Sequence, residues 1–383
     1  MDNLPIPDKL AAANSATLTS LIQQKINQQG GWLSFADYMQ MALYTPAYGY
    51  YTGGAQKFGQ DGDFITAPIL TPLFGHTLAQ QLNALLPQTA GNIYEFGAGT
   101  GQLATSVLTA LDSGQLKHYY IIELSAELAE RQRTFIQTHI PDLADKVVHL
   151  SCLPAQFDGI LLGNEVLDAM PVPIYQCVGN QIEEMGVSWQ DNHLCWSPQP
   201  VKNLQIKQQV METFPVTSEM YQSELHPQQH AFVSTLAQKL HRGAMIWIDY
   251  GFDAAQYYHP QRRQGTLIGH YRHHTIHDPF YYPGLTDLTT HVNFTCIADA
   301  GVENKLDLIG YTTQATFLLN LGITELLAQT GLPDETAYIK AAAACHTLLD
   351  TQEMGELFKV IAFGKNIDVD WLGFRYGDLC HKL

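Results

Sequence analysis

Apolar residues recur along this chain at two spacings. Over residues 11–43 they fall three and four apart, with Leu18, Leu21, Ile22 and Ile26 on one stripe and Phe35, Tyr38, Met39 and Ala42 on another, which predicts helix as far as Pro46. Short apolar runs of strand length then appear at 93–96, 119–123, 147–150, 157–163 and 244–251. Helix-period runs separate several of them: 102–111, with Leu103, Ala104, Val107, Leu108 and Leu111 on one face, then 126–139 and 227–240. Farther on, 305–310 and 357–363 read as strands, and 313–321 and 335–349 as helices. Strand alternating with helix predicts an α/β fold on a mainly parallel sheet. From 174 to 196 short alternating runs, with turns at Gly179-Asn180 and Asp191-Asn192, suggest a β-rich insertion of about 174–225. The expected organisation is a helical and loop extension over 1–90 and an α/β domain over 91–383.

Composition narrows the function classes. A 46% hydrophobic content over 383 residues supports a full core. A formal charge of −17 opposes binding to nucleic acid or an anionic membrane surface. It would favour encounter with a basic partner, although a solvated acidic surface serving only solubility is the more common explanation. The six cysteines are scattered without a C-x-x-C pair, and no apolar run is long enough to span a bilayer. The N-terminal segment has no arginine before Arg131, so neither a secretory signal nor an Arg-rich transit peptide is expected, and the expected location is cytoplasmic. His270, His273, His274 and His277 cluster on a loop without any metal-ligand spacing, so no metal is expected.

The candidate chemistry begins where the first strand ends. Glu95 is followed by Gly97, Gly99 and Gly101, alternate glycines that let the backbone approach a ligand before a helix starts. A dinucleotide fingerprint would place its third glycine at Gln102, so hydride-transfer chemistry fits poorly. Glu123, ending the second strand twenty-two residues after Gly101, is placed by a right-handed βαβ unit to accept from both ribose hydroxyls of a nucleoside. A helix-dipole role at the N-terminus of 126–139 is the alternative for that acid, and the glycine turn ranks it second. Leu153, after the third strand, sits where an adenine ring would rest. The fourth strand runs into Asn164, Glu165 and Asp168, at the carboxyl edge where open sheets bind ligands. On a helix emerging there, Glu165 and Asp168 would face one side; a capping role for Asp168 is as well supported. The glycine-rich segment 53–68 reads either as a packed surface loop or as a lid.

Five motifs together resemble one family: Glu95 to Gly101, Asn-Glu-x-x-Asp-Ala-x-Pro at 164–171, Tyr-Gly-Tyr-Tyr at 48–51, Gly-Asp-Phe-x-Thr-x-Pro at 62–68, and Asp-x-Thr-x-His-Val at 287–292. Over about 35–365 the chain is similar to the MidA-type methyltransferases, class I enzymes dependent on S-adenosyl-L-methionine (SAM). Their mitochondrial members assist assembly of respiratory complex I by methylating an arginine of one of its subunits. The resemblance implies a class I methyltransferase Rossmann-like sheet and SAM as cofactor. It implies a protein substrate, with cofactor contacts from Glu95, Gly97, Gly99, Gly101, Glu123, Leu153, Asn164, Phe64 and Thr66. Glu165, Asp168 and His291 are the implied catalytic residues, His291 as proton acceptor or as an ordinary loop histidine. Asn293 stands where the family is expected to carry an acid, and the insertion diverges from the family. Two alternatives stay open: a small-molecule methyltransferase, or an assembly chaperone that binds SAM without essential catalysis.

Overall fold

A computed structural model describes residues 4–53, 66–112, 114–179, 181–217, 219–330 and 335–383. The chain divides into two compact units, one of residues 1–64, 168–229 and 252–293, the other of residues 65–167, 230–251 and 294–383.

The second unit is built on a mixed sheet. Its strands are β1 (Asn92–Phe96), β2 (His118–Ile122), β3 (Val147–Leu150), β4 (Phe157–Asn164), β5 (Leu240–Phe252), β6 (Asp307–Thr313) and β7 (Phe358–Lys365). They pair in the order β3-β2-β1-β4-β5-β7-β6. The first five are parallel, with Ile93 opposite both Tyr119 and Ile160, while β7 runs antiparallel between β5 and β6. The strand order reverses direction at β1, between β2 and β4. Their carboxyl ends therefore open a crevice at that switch point. Helices α1 (Leu73–Leu85), α2 (Gln102–Ala110) and α3 (Ala126–His139) follow the apolar periodicity. Phe74, Leu78 and Leu82 of α1 share one core with Leu103 and Val107 of α2, Ile136 of α3, and Ile93, Ile160 and Ile246 of the sheet. Gly163 lacks a side chain because Trp247 of the neighbouring strand fills its place; a Cβ there would lie 2.4 Å from the indole.

The first unit carries the predicted β-rich insertion. Gln181–Gln190 is flanked by Leu33–Ser34, Ile174–Val178 and His193–Pro200, and Tyr221–Glu224 pairs with Ile174–Val178, all antiparallel. The helical run expected over 11–43 is two helices, Lys9–Gln28 and Phe35–Tyr44, separated at Gly30 and Gly31, both at positive φ. Their stripes (Leu18, Ile22, Ile26; Phe35, Tyr38, Met39, Ala42) pack with Val172, Ile174 and Val187 in one core. A small sheet of Ile268–Tyr271, His274–Ile276 and Asp287–Thr289 completes the unit. The boundaries differ from the expected ones: α1 buries its apolar face in the sheet unit, so that unit begins at 65 rather than 91, and 252–293 groups with the N-terminal residues.

Candidate active site

The turn after β1 has the geometry its glycines imply. Gly97, Gly99 and Gly101 all have positive φ, at 67°, 53° and 89°, a region side chains disfavour. The Gly101 N–H donates to the Ala98 carbonyl at 2.7 Å, closing the turn before α2. Among the described residues nothing lies within 4 Å of where a Cβ on Gly99 would point, so the backbone there faces space that they leave open.

Glu123 lies just past the end of β2, half-buried, and its carboxylate is oriented on both sides. The Ser125 N–H donates to Oε1 at 2.8 Å and Gln132 Nε2 to Oε2 at 3.1 Å. The same Gln132 nitrogen donates to the Gly99 carbonyl at 3.0 Å, while its Oε1 meets His149 Nε2 at 3.0 Å. One fully buried amide in α3 thus ties the glycine turn, the acid after β2 and β3 together. Burial moves the Glu123 pKa up and the His149 pKa down, and a neutral His149 donating from Nε2 fixes the orientation of the Gln132 amide. Gln132 was not among the expected site residues; its only sequence signal is a polar residue on the buried stripe with Ala129 and Ile136.

Glu95 is 1% exposed in the core beneath the turn and accepts from the Tyr119 hydroxyl at 2.9 Å. Burial pushes its pKa up to about 8, with the Tyr119 bond opposing the shift. Leu153 is half-buried in the loop between β3 and β4. Thr66 caps the single turn Ala67–Leu70, its carbonyl accepting from Ile69 at 2.9 Å. Phe64 and most of the segment 53–68 that reads as a packed loop or a lid, namely residues 54–65, lie outside the described residues.

At the end of β4 the helix expected to carry Glu165 and Asp168 does not form. Residues 165–170 make a turn, and Glu165 sits at φ 54°, left-handed for a residue with a side chain. Such a conformation costs roughly 1–2 kcal/mol and needs outside support. The support comes from β5: the Glu165 N–H donates to the Ile248 carbonyl at 2.9 Å, and the Val166 and Leu167 N–H groups donate to Asp249 Oδ2 at 3.1 and 2.9 Å. Those N–H groups bond a side chain, so the spacing argument for a shared helical face does not hold. Asp249, also unexpected, is 1% exposed. Asn164 Nδ2 donates to Glu165 Oε1 at 3.0 Å, and Asn164 Oδ1 is buried with no hydrogen-bond partner among the described residues. Open space at Gly99, a prepared carboxylate at Glu123 and an unsatisfied acceptor at Asn164 fit a nucleoside with polar appendages.

A family model described as an S-adenosyl-L-methionine-dependent methyltransferase matches residues 73–312. The chain belongs to that methyltransferase family. It is a SAM-dependent methyltransferase with a class I Rossmann-like fold. It is similar over its full length to a crystallised superfamily member from Burkholderia thailandensis bound to S-adenosyl-homocysteine (44% identity, TM-score 0.95, all of both chains covered). It is also 27% identical to the mitochondrial protein arginine methyltransferase NDUFAF7 of Homo sapiens, covering 87% of this chain and 80% of that protein. The Caenorhabditis elegans homologue is 27% identical, covering 81% and 77%. These relatives are named mitochondrial, which overturns the cytoplasmic location expected here: the charge pattern of an N-terminal segment does not by itself fix a compartment. No helix among the described residues is long and apolar enough to cross a membrane, and none of their His, Cys, Asp and Glu side chains form a group of three able to hold a metal.

In this methyltransferase, the remaining expected residues, Asp168 and His291, belong to the first unit. Asp168 is buried, and its carbonyl accepts from the Thr290 N–H at 3.0 Å, which brings it to the segment that carries His291. The His291 ring stacks on Phe252 at 5.0 Å and 3°, and the His291 backbone N–H donates to Thr266 Oγ1 at 3.0 Å.

Proposed function

We propose that this methyltransferase modifies a side-chain nitrogen of arginine in a protein acceptor, with a respiratory complex I subunit as the kind of protein it serves. The names of the NDUFAF7 relatives support arginine as the acceptor. The observation that carries the reading is Glu165, an acid held in a left-handed conformation at the sheet's carboxyl edge by Ile248 and Asn164. Glu123 would hold the ribose of SAM, the 97–101 turn its methionine end, and Asn164 a polar group of it. Bound SAM supplies an activated sulfonium methyl group.

The chain's own residues must prepare the acceptor. Arginine is protonated below a pKa of about 12, with its charge spread over the guanidinium plane. A carboxylate accepting from one nitrogen concentrates charge there and leaves another nitrogen richer in electrons. Glu165 is our candidate for that carboxylate, and it would take the proton released as the nitrogen–carbon bond forms. Asn164, by donating to Oε1, fixes its rotamer, which preserves the alignment that in-line transfer requires. Asp168 and His291 are the further candidates for charge stabilisation and proton acceptance.

The test is labelled-methyl SAM added with the protein to a lysate, followed by mass spectrometry of the labelled band. Methylarginine in a protein, lost in a Glu165→Gln variant that binds S-adenosyl-homocysteine normally, supports the reading. Label confined to small molecules, binding without transfer, or a Glu165→Gln variant as fast as wild type would overturn it.

A further inference from the structure

We propose that Tyr44, Tyr51, Asp168 and Asp287 form the subsite that receives the acceptor's guanidinium group; this rests on the arginine reading and names the residues that would select it. All four belong to the first unit. The two tyrosine rings stack at 5.5 Å with 26° between their planes, half-buried. The Tyr51 hydroxyl donates to Asp287 Oδ1 at 2.9 Å. The Tyr44 hydroxyl donates to the Ala169 carbonyl at 3.1 Å, and the Thr290 N–H to the Asp168 carbonyl at 3.0 Å. These bonds bring the chain around Asp168 and the strand carrying Asp287 to the same aromatic pair. Both carboxylates act on both phenols, raising their pKa values together with burial.

Two acids acting on one pair of rings place negative charge beside them, and a cation bound there would offset that charge. The shape of the group favours a planar cation. A guanidinium can lie against a tyrosine face while its N–H fork reaches carboxylates in its own plane, which an ammonium cannot do. A second observation points to a ligand. The Thr289 and Thr290 hydroxyls, 3% and 0% exposed, have no hydrogen-bond partner among the described residues. Strand alternation puts Thr289 on the face of Asp287, their partners being Ile268 and His270. A buried hydroxyl without a partner among the described residues, beside a prepared acid, is the polar complement of a donor-rich ligand.

Methylguanidine and methylamine, titrated into the full-length protein and followed by saturation-transfer NMR, test the subsite directly. The expected result is methylguanidinium binding at least about tenfold tighter than methylammonium, weakened about tenfold in Asp287→Asn and in Tyr51→Phe, with S-adenosyl-homocysteine affinity unchanged. The thermal midpoint of each variant shows that it is folded, and Tyr51→Phe keeps the ring if the Asp287 variant does not fold. Equal binding of the two probes, or variants that bind methylguanidine as wild type does, overturns the subsite. Arginine methylation in the lysate assay is read separately: its presence with unaltered variants sinks the subsite alone, and its absence sinks the arginine reading.

Discussion

Gln132 donates to Glu123 Oε2 at 3.1 Å and, from the same nitrogen, to the carbonyl of Gly99 at 3.0 Å. The residue that orients the expected ribose acid therefore also sets the glycine turn. Gln132→Leu removes both donors while keeping the buried volume. A hydrogen bond to a charged group contributes about 1.5–3 kcal/mol, so affinity for S-adenosyl-homocysteine should fall roughly 10–100-fold. Calorimetric titration measures this, and an unchanged affinity would show that the bridge is only structural.

Glu95 should make stability depend on pH in a direction opposite to most carboxylates. Its folded pKa of about 8 lies above the ordinary 4.5, so the native state holds the proton more tightly than the unfolded chain. Stability is then fully present below about pH 4.5 and falls as pH rises toward about 8, by on the order of a few kcal/mol. Glu95→Gln should flatten that decline and be the more stable protein at pH 8. Urea midpoints from pH 5 to 8.5 would reveal it, and parallel curves for the two proteins would contradict it.

Asp249→Ala withdraws the acceptor from the Val166 and Leu167 N–H groups. Each buried donor left unpaired costs about 1–3 kcal/mol, and the turn that holds Glu165 loosens. Turnover should drop about 100-fold, the scale expected when a reacting group is misplaced by about 1 Å, with S-adenosyl-homocysteine binding within about threefold of wild type. Asp249→Asn, which keeps an acceptor oxygen, should lie between. Loss of binding in step with turnover would place Asp249 in the cofactor site itself.

Glu165→Gly should separate folding from function. Glycine adopts φ 54° without a Cβ penalty, so the variant should melt at or above the wild-type temperature while methyl transfer collapses. A large fall in the melting temperature would mean that the Glu165 side chain holds the turn rather than serving the reaction.

Much of the sheet unit was legible because its signals are local. Apolar runs with turn punctuation mark β1 to β5, and the spacing from Gly101 to Glu123 follows from one βαβ unit. Alternate glycines permit the positive φ that such a turn uses, and all three have it. The helix expected after β4 failed for an equally physical reason: its N–H groups bond Asp249, 83 and 82 residues away in sequence, and no periodicity records that choice. Gln132 was hidden in the same way, as an ordinary polar residue of α3 until its partners on three other segments are known.

By itself, then, the sequence determined the α/β class, the glycine turn, the acid of the second strand and the family resemblance, because each depends on residues near one another in the chain. Tertiary structure decided that Glu95 faces the core, that Asp249 and Gln132 hold the site's backbone, and that Tyr44 and Tyr51 meet Asp168 and Asp287. Burial and hydrogen-bond partners are properties of segments brought together only by folding, and a buried polar group is worth what those distant partners make of it.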